Sequence, residues 1–600
     1  MWLFWSELPV AVVLVWFWRG RVSVRLPFRM VLKCEIRTTE GKPLVEEYGL
    51  DELAASAEPV LAGLDELAAS AELVLAGLGP LAAGLARLAV AASRAVTLDE
   101  MEGLVIDQGR KLLTGVIQLG ADTQAAGEVR LPQVTGADGV PRTRAERGHA
   151  RTIVTTLGAV KVRRIGYRAG IKGVPSLFPR DAVLNLPPLG YSWQLQRLAQ
   201  MFARSGSYEQ AHEFVRAATA VSIGKRQLEE IAAGAAADVA AFYEAGGPAG
   251  QEPGQPGGPQ PAQPPAAAEG PGGPEREGPL PLALSADGKG VAMLPESRRT
   301  RTKAPEQRVR NFETRPGTGE KGHKRIAEAG CVFDVIPQAR TPEQVMAGHH
   351  GGDGDGGTGQ APKAAGKPVA AAVNRRYRVD IAADRSATIS WLFDEGERRD
   401  PGHERDWIAL ADGDNHQIRL FQAEAAARGI TGLVILIDLI HVLGYLWKAA
   451  WALHEPRDPA IETWTITQAI DILHGRTADV ITRITRLAEA SPPQGPEHAK
   501  NIRTTLAYLT AKLPYLDYPR ALAAGWPIAT GVIEGACRHL VKDRMAITGA
   551  RWSTAGAQAI LWLRVIAANG DHDAYWQYHL RQEHQRNHLS RYQDSLGLAA

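Results

Sequence analysis

The sequence predicts an α/β domain with an all-α insertion, preceded by a mostly α region that carries a β-ribbon. Three observations lead there. The apolar runs PLPLALSAD, WIALAD and LVILID each deliver an aspartate in the manner of sheet strands. A stretch from about Tyr445 to Ala524 keeps the 3.6-residue apolar period of packed helices. Between the two regions lies a run too rich in Pro and Gly to bury a core.

Length and composition set outer bounds. At 600 residues the chain has room for several domains, and 45% hydrophobic with 22% charged residues is ordinary for a globular protein. The formal charge of +2 says nothing about nucleic acid, because basic runs such as RTIVTTLGAVKVRRIGYR are offset by acidic ones elsewhere. Cys34, Cys331 and Cys537 lie far apart with no CxxC pair, which argues against a zinc ribbon or a disulfide framework and fits a reducing compartment.

Taken in order, residues 1–29 read as an extension ahead of a start at Met30. The uninterrupted apolar part, Pro9 to Trp18, is ten residues, against about 20 for a membrane span. No basic residue precedes it, as a signal peptide would require. Residues 30–146 are expected to be mostly helical and contain a 14-residue repeat, GLDELAASAEPVLA at 49–62 and GLDELAASAELVLA at 63–76. Two heptads keep an apolar stripe in register, so the repeat is either an oligomerisation helix or a duplication in a tolerant segment.

Residues 147–244 are expected to hold the β-ribbon and a helix-turn-helix. The ribbon turns at Leu157-Gly158, and its outward side would carry Lys161, Arg163, Arg164 and Arg168, either as a solvated sheet face or as phosphate contacts. Three helical stretches follow, with Ser207 and Gln210 as a capping box and Ser222 as an N-cap. Lys225 and Arg226, early in the third, suit entry into a major groove, although tri-helical units without DNA affinity are common. Residues 245–280 read as the linker.

The catalytic part is expected to open at 281–444, with a Gly-rich surface loop at 347–368. Its first strand ends in Asp287 beside Gly288 and Gly290, and a second ends in Asp412-Gly413 before an amphipathic helix. Each aspartate taken alone could merely cap a turn. A third, buried-looking strand carries Asp438 and His441, which are costly in so apolar a run unless paired with each other, a metal or a helix end. Residues 445–527 form the expected all-helical insertion, and 528–600 bring a helix with Glu534, Arg538 and Lys542 at spacings of four. Alone that trio is a surface ion pair and a spare cation. With Asp287 and Asp412, Glu534 completes the carboxylate trio with which a ribonuclease-H-like fold holds two divalent metals, leaving Arg538 and Lys542 for phosphates. In the tail, the spacing of His579, His584 and His588 suits no single helical face, so a helix lying on DNA or on the core is expected in preference to a metal site.

LSADGKG, DGDNHQ, DLIHVLGYLWKAAW, GWPIATGVIEGACRHLVKDRM and ITGARW, in that order, resemble the signature blocks of ISKra-type insertion-sequence transposases, relatives of the Mutator-like DDE group. The resemblance runs from about Gln133 to Tyr592. It implies a ribonuclease-H-like (retroviral-integrase-like) catalytic fold that nicks transposon ends and joins them to target DNA. It also implies two Mg²⁺ or Mn²⁺ ions per site, a homodimer or higher oligomer on DNA, no membrane, and a bacterial cytoplasmic, nucleoid-associated location. Carried over, the catalytic and metal-binding residues are Asp287, Asp412 and Glu534, with Asp438 and His441 near the centre and Asp438 the alternative to Asp412. Gly444 and Ala546 depart from the pattern, standing where the family has glutamate and aspartate. A catalytically decayed, DNA-binding descendant is therefore the second expectation.

Overall fold

The computed structural model describes residues 14–18, 21–25, 31–35, 74, 76–250, 278–298, 323–347, 371–381, 384–455, 458–490 and 495–593. Nearly all of the 14-residue repeat, most of the Pro/Gly-rich linker and the Gly-rich loop fall outside them. The chain divides into two compact units, one of residues 1–199, 212–224 and 579–600, the other of 200–211 and 225–578.

In the first unit, β1 (Leu14–Trp18), β2 (Arg21–Arg25) and β3 (Val31–Glu35) form an antiparallel sheet. Among the described residues one helix, Ala76–Ser93, is long and apolar enough to cross a membrane by length and composition. It runs antiparallel to the helix Leu98–Ala126, because a Cβ added at Gly77 would meet Leu119 and one added at Gly84 would meet Leu112. Thr97 starts the second helix with a capping box, its hydroxyl accepting from the Glu100 N–H at 3.1 Å.

After the short pair β4 (Val134–Thr135) and β5 (Pro141–Arg142) comes the expected ribbon, β6 (Arg144–Val154) against β7 (Ala159–Arg168). The Thr155 N–H closes its turn on the Gly158 carbonyl at 2.8 Å. The helix Leu98–Ala126 packs along β7, and Ile165, Tyr167, Leu177 and Tyr592 form a small core beside it. His584 and His588 bond the carbonyls of Ala182 and Leu186 at 2.9 and 2.8 Å, so this part of the tail lies on the core of its own unit.

The second unit is built on a five-stranded mixed sheet: β8 (Leu282–Ala292), β9 (Lys324–Ile336), β10 (Ala371–Asp380), β11 (Trp407–Ala411) and β12 (Leu433–Ile437), in the order β10-β9-β8-β11-β12. β8, β9 and β10 are antiparallel neighbours, while β11 runs parallel to both β8 and β12. This arrangement is compatible with a ribonuclease-H-like α/β domain. Crossover helices explain the parallel half: Arg385–Arg399 precedes β11 and Asn415–Ala427 links β11 to β12. Their apolar faces close a core of Leu282, Leu284, Val332, Leu392, Phe393, Trp407 and Phe421. Trp407 stacks on Phe393 with centroids 5.9 Å apart. A Cβ at Gly396 would stand 2.3 Å from that indole, so the helix backbone gives the ring its space.

The all-helical stretch comprises Leu439–Leu453, Ala460–Leu473, Thr477–Ala490, Pro496–Lys512 and Tyr518–Ala523. It begins before 445, because β12 stops at Ile437 and Asp438 caps the first helix. His441 therefore sits on a helix, which corrects the expected strand location. Local apolarity is the same in strand and buried helix, and only the cap separates them.

Candidate active site

β8 does not end at Asp287. It continues to Ala292, paired with β9, while its parallel neighbour β11 stops at Ala411. Leu410 stands opposite Ser285, so two residues further on Asp412 leaves the sheet beside Asp287. Neighbouring strands lie about 4.8 Å apart, which brings the two aspartates together at one sheet end. Gly288 serves close approach: a Cβ there would be 2.6 Å from Ile326 Cγ2 and 3.0 Å from a Glu328 carboxylate oxygen.

Glu534 lies on the short helix Gly531–Ala536, which runs into a π-helical turn, Cys537–Lys542. That helix is hooked onto β8, since the buried Cys537 thiol donates to the Asp287 carbonyl with Sγ at 3.7 Å. Burial pushes the thiol pKa up, so it stays a neutral packing group. Ile533, Ala536, Cys537, Leu540 and Val541 face inward, leaving Glu534, Arg538 and Lys542 all exposed. The wider π turn keeps the expected trio on the solvent side.

Asp438 ties these parts together. Its N–H donates to the Ala411 carbonyl at 2.8 Å, anchoring it next to the end of β11. One carboxylate oxygen caps the helix by accepting from the Ile440 N–H at 3.0 Å. The other accepts from the Thr530 hydroxyl at 2.8 Å and from His441 Nδ1 at 2.9 Å. Thr530 in turn reaches Glu534 Oε1 at 3.4 Å. Asp438 is fully buried and both its oxygens are engaged, whereas Asp287 and Asp412 are half-buried and Glu534 is exposed. One ligand-type atom from each of Asp438, His441 and Glu534 falls within 4.8 Å of the others, a grouping that could hold a metal ion. The imidazole of His441 is pushed above its ordinary pKa by the Asp438 hydrogen bond, with the charges of Asp412 and Glu534 adding to it.

Residues the sequence reading passed over line the same sheet end. Glu328 on β9, almost buried, pairs with Arg385 at 3.2 Å, and Arg385 also bonds Asp414. Burial, together with the neighbouring Asp287 and Asp414, raises the Glu328 pKa against the pull of Arg385. Tyr508 donates to the Asp412 carbonyl at 3.2 Å and stacks on Tyr445 at 3.8 Å. Asp414 was legible in DGDNHQ, but Glu328, Arg385 and Tyr508 reach the site only through pairing and packing.

The basic residues expected on DNA are differently placed. The β7 pleat sends Lys161 and Arg163 to one face and Arg164 and Arg168 to the other, correcting the single outward side. Lys161 and Arg163 are exposed, yet the helix Leu98–Ala126 engages that face: Gln118 bonds both main-chain groups of Lys161, and Asp122 pairs with Arg163. Arg164 lies over the Phe178 ring at 4.0 Å and pairs with Asp181, so it is a packing residue. Arg168 is exposed and pairs with Glu146 at 2.9 Å.

Ser207 and Gln210 do form the capping box, at 3.0 and 3.1 Å. Ser222 is not at the N-cap position, because the third helix starts only at Lys225 and ends at Ala235. That helix buries Leu228, Ile231, Ala232 and Ala235 against the helix Thr554–Ala568, while Lys225 and Arg226 stay exposed, paired with Glu209 and Glu230.

No protein-family model and no curated protein matches the chain.

Proposed function

We propose that the chain is a DDE transposase of the ISKra type, on a ribonuclease-H-like catalytic domain, that cuts DNA at the ends of an insertion sequence and transfers them to target DNA. The observation that carries this reading is the parallel register of β8 and β11, which sets Asp412 beside Asp287, with the helix of Glu534 hooked onto β8 at Asp287. Asp287, Asp412 and Glu534 would hold two Mg²⁺ or Mn²⁺ ions: one oxygen of each aspartate accepts a backbone N–H, from Gly288 and Asp414, and carboxylate oxygens are the donors hard cations take. Bound there, such ions supply Lewis acidity at the phosphorus oxygens and an activated attacking hydroxyl. Asp438 is the positioning residue: its N–H holds the end of β11, and its saturated carboxylate fixes the start of its own helix, Thr530 and His441, and through Thr530 the start of the Glu534 helix. Arg538 and Lys542 would meet phosphates flanking the cut. His441, held through Nδ1, would present Nε2–H to a phosphate oxygen in its charged form.

In this reading the partners are DNA ends and target DNA, and joining two ends needs at least a dimer. Lys161, Arg163, Arg168, Lys225 and Arg226 remain exposed candidates for DNA contact. The test is nicking of DNA carrying the element's ends by the full chain. Asp287→Asn and Glu534→Gln should lose Mg²⁺-dependent nicking by about 10³-fold or more while binding persists, since removing a catalytic group leaves ground-state contacts in place. A wild-type chain that binds those ends yet cuts them with neither Mg²⁺ nor Mn²⁺ sinks the enzymatic reading. It would leave the decayed DNA-binding descendant, which the departures at Gly444 and Ala546 favour.

A further inference from the structure

We propose a second phosphate-binding site, at the end of the sheet away from the carboxylates. A cavity of about 490 Å³ opens there, walled by Arg375, Arg376, Arg398, Arg399, Arg405 and Asp334. Asp334 pairs with Leu282 at the start of β8, five residues along that strand from Asp287. At about 3.4 Å per residue the two sites are roughly 17 Å apart, so this one is separate from the candidate active site.

Three local features bring the guanidiniums together. The β10 register breaks between Val373 and Arg376, with Asn374 at φ 50, and such bulges re-aim side chains. Asn374 fixes the distortion by donating to Asp334 at 2.7 Å. The helix Arg385–Arg399 ends at the cavity with two consecutive arginines, and Arg405 comes from the loop that leads into β11.

The charges do not balance within the protein. Asp334 pairs with Arg399 and Arg405, Glu395 with Arg398 and Arg399, and Asp571 with Arg376. Four of the five guanidiniums thus share three ion-paired carboxylates, Arg375 pairs with none of them, and with Asp400 acting on Arg405 the group keeps an excess of one positive charge. Arginine cannot relieve such crowding by giving up its proton. Each guanidinium carries five N–H donors in a planar fork, and these carboxylates use only some of them. Paired, planar N–H groups match the oxygens of phosphate, and the volume suits a small anionic group or one turn of a strand's backbone. The ligand is therefore a phosphate-bearing one, from a nucleic-acid strand or a free polyphosphate. The inference stands independently of DNA cleavage, since none of these residues takes part in it.

Arg375 and Arg398 are the exposed members, so replacing them leaves the buried Arg399–Asp334–Arg405 cluster intact. The experiment titrates pyrophosphate into the full chain by calorimetry, alongside a labelled single-stranded oligonucleotide followed by anisotropy. Pyrophosphate should bind the wild type and, at least tenfold more weakly, the Arg375→Ala/Arg398→Ala double variant, which should still melt cooperatively because Arg399 continues to pair with the buried Glu395. The Arg375→Lys/Arg398→Lys double variant, which keeps charge but loses the fork, should fall between. Oligonucleotide binding that pyrophosphate displaces and the double variant weakens identifies the nucleic-acid backbone as the source. Oligonucleotide binding indifferent to both, with pyrophosphate binding still lost, identifies a free polyphosphate. Pyrophosphate binding that is absent in the wild type, or equal in wild type and double variant, overturns the proposal.

Discussion

Asp438 accepts three hydrogen bonds and has no exposure, and what it holds is a histidine whose own charge it stabilises. In the metal-free protein the His441 ring should therefore keep its proton to higher pH than the ordinary 6.5. Because the folded-state value is raised, the stabilisation is complete below about 6.5 and fades as pH rises through the folded value. A ¹⁵N-NMR titration checks the shift, and Asp438→Asn should bring the ring back down while costing about 1–3 kcal/mol of stability. Asp400 illustrates the opposite sign. Burial alone would raise its pKa, but N–H donors from Glu404, Arg405 and the Trp407 indole at 2.9, 3.0 and 2.8 Å hold it below the usual carboxylate range. Asp400→Asn should thus cost about 1–3 kcal/mol at neutral pH. The wild type should lose that advantage as pH falls below about 3.9 through the lowered value, read as urea midpoints converging in acid. At this scale the sequence reading put Asp412 ahead of Asp438 on the family resemblance, and nothing in the local pattern could rank them. WIALAD and LVILID have the same local pattern, and which carboxylate is saturated depends on Thr530, almost a hundred residues away.

Two glycines show how elements constrain the site. Gly413 follows Asp412 at φ 98, and a Cβ there would stand 2.5 Å from the Tyr508 hydroxyl oxygen. Gly413→Ala combines backbone strain with that collision and should cost about 1–3 kcal/mol in a denaturant titration. A neutral result would mean that the loop does not rest on the insertion helix. Gly444 sits inside the helix Leu439–Leu453 with nothing within 4 Å of an added Cβ. Gly444→Ala should stabilise by about 0.5–1 kcal/mol in the same assay, because alanine loses less backbone entropy in a helix. The ribbon and the insertion helices were legible from alternation and period. The split of the β7 arginines was equally available from strand parity, since Lys161 and Arg164 are an odd number of residues apart. The end of β12 was not, because an apolar run gives no mark where a strand passes into a helix.

At the scale of the molecule, the expected linker lies mostly outside the described residues, and the grouping of the segments on its two sides was not legible in the sequence. The helix Lys225–Ala235, read with the ribbon as one DNA-binding domain, packs on Thr554–Ala568 in the same unit as the five-stranded sheet. The seam between units falls inside the stretch 147–244, at 199/200, 211/212 and 224/225. Such long-range packing leaves no local trace in the sequence. The central proposal is that Asp287, Asp412 and Glu534 take the divalent metal, in place of the closer group of Asp438, His441 and Glu534, with Asp438 acting as a buried brace. Mn²⁺ titration of the full chain, followed by paramagnetic resonance of the free ion, tests that claim most directly. The account predicts wild-type binding that Asp287→Asn, Asp412→Asn and Glu534→Gln each weaken by more than about 10-fold with melting temperature unchanged. It predicts that Asp438→Asn chiefly lowers the melting temperature. Mn²⁺ binding that survives Asp412→Asn undiminished, or that is absent from the wild type, would contradict it.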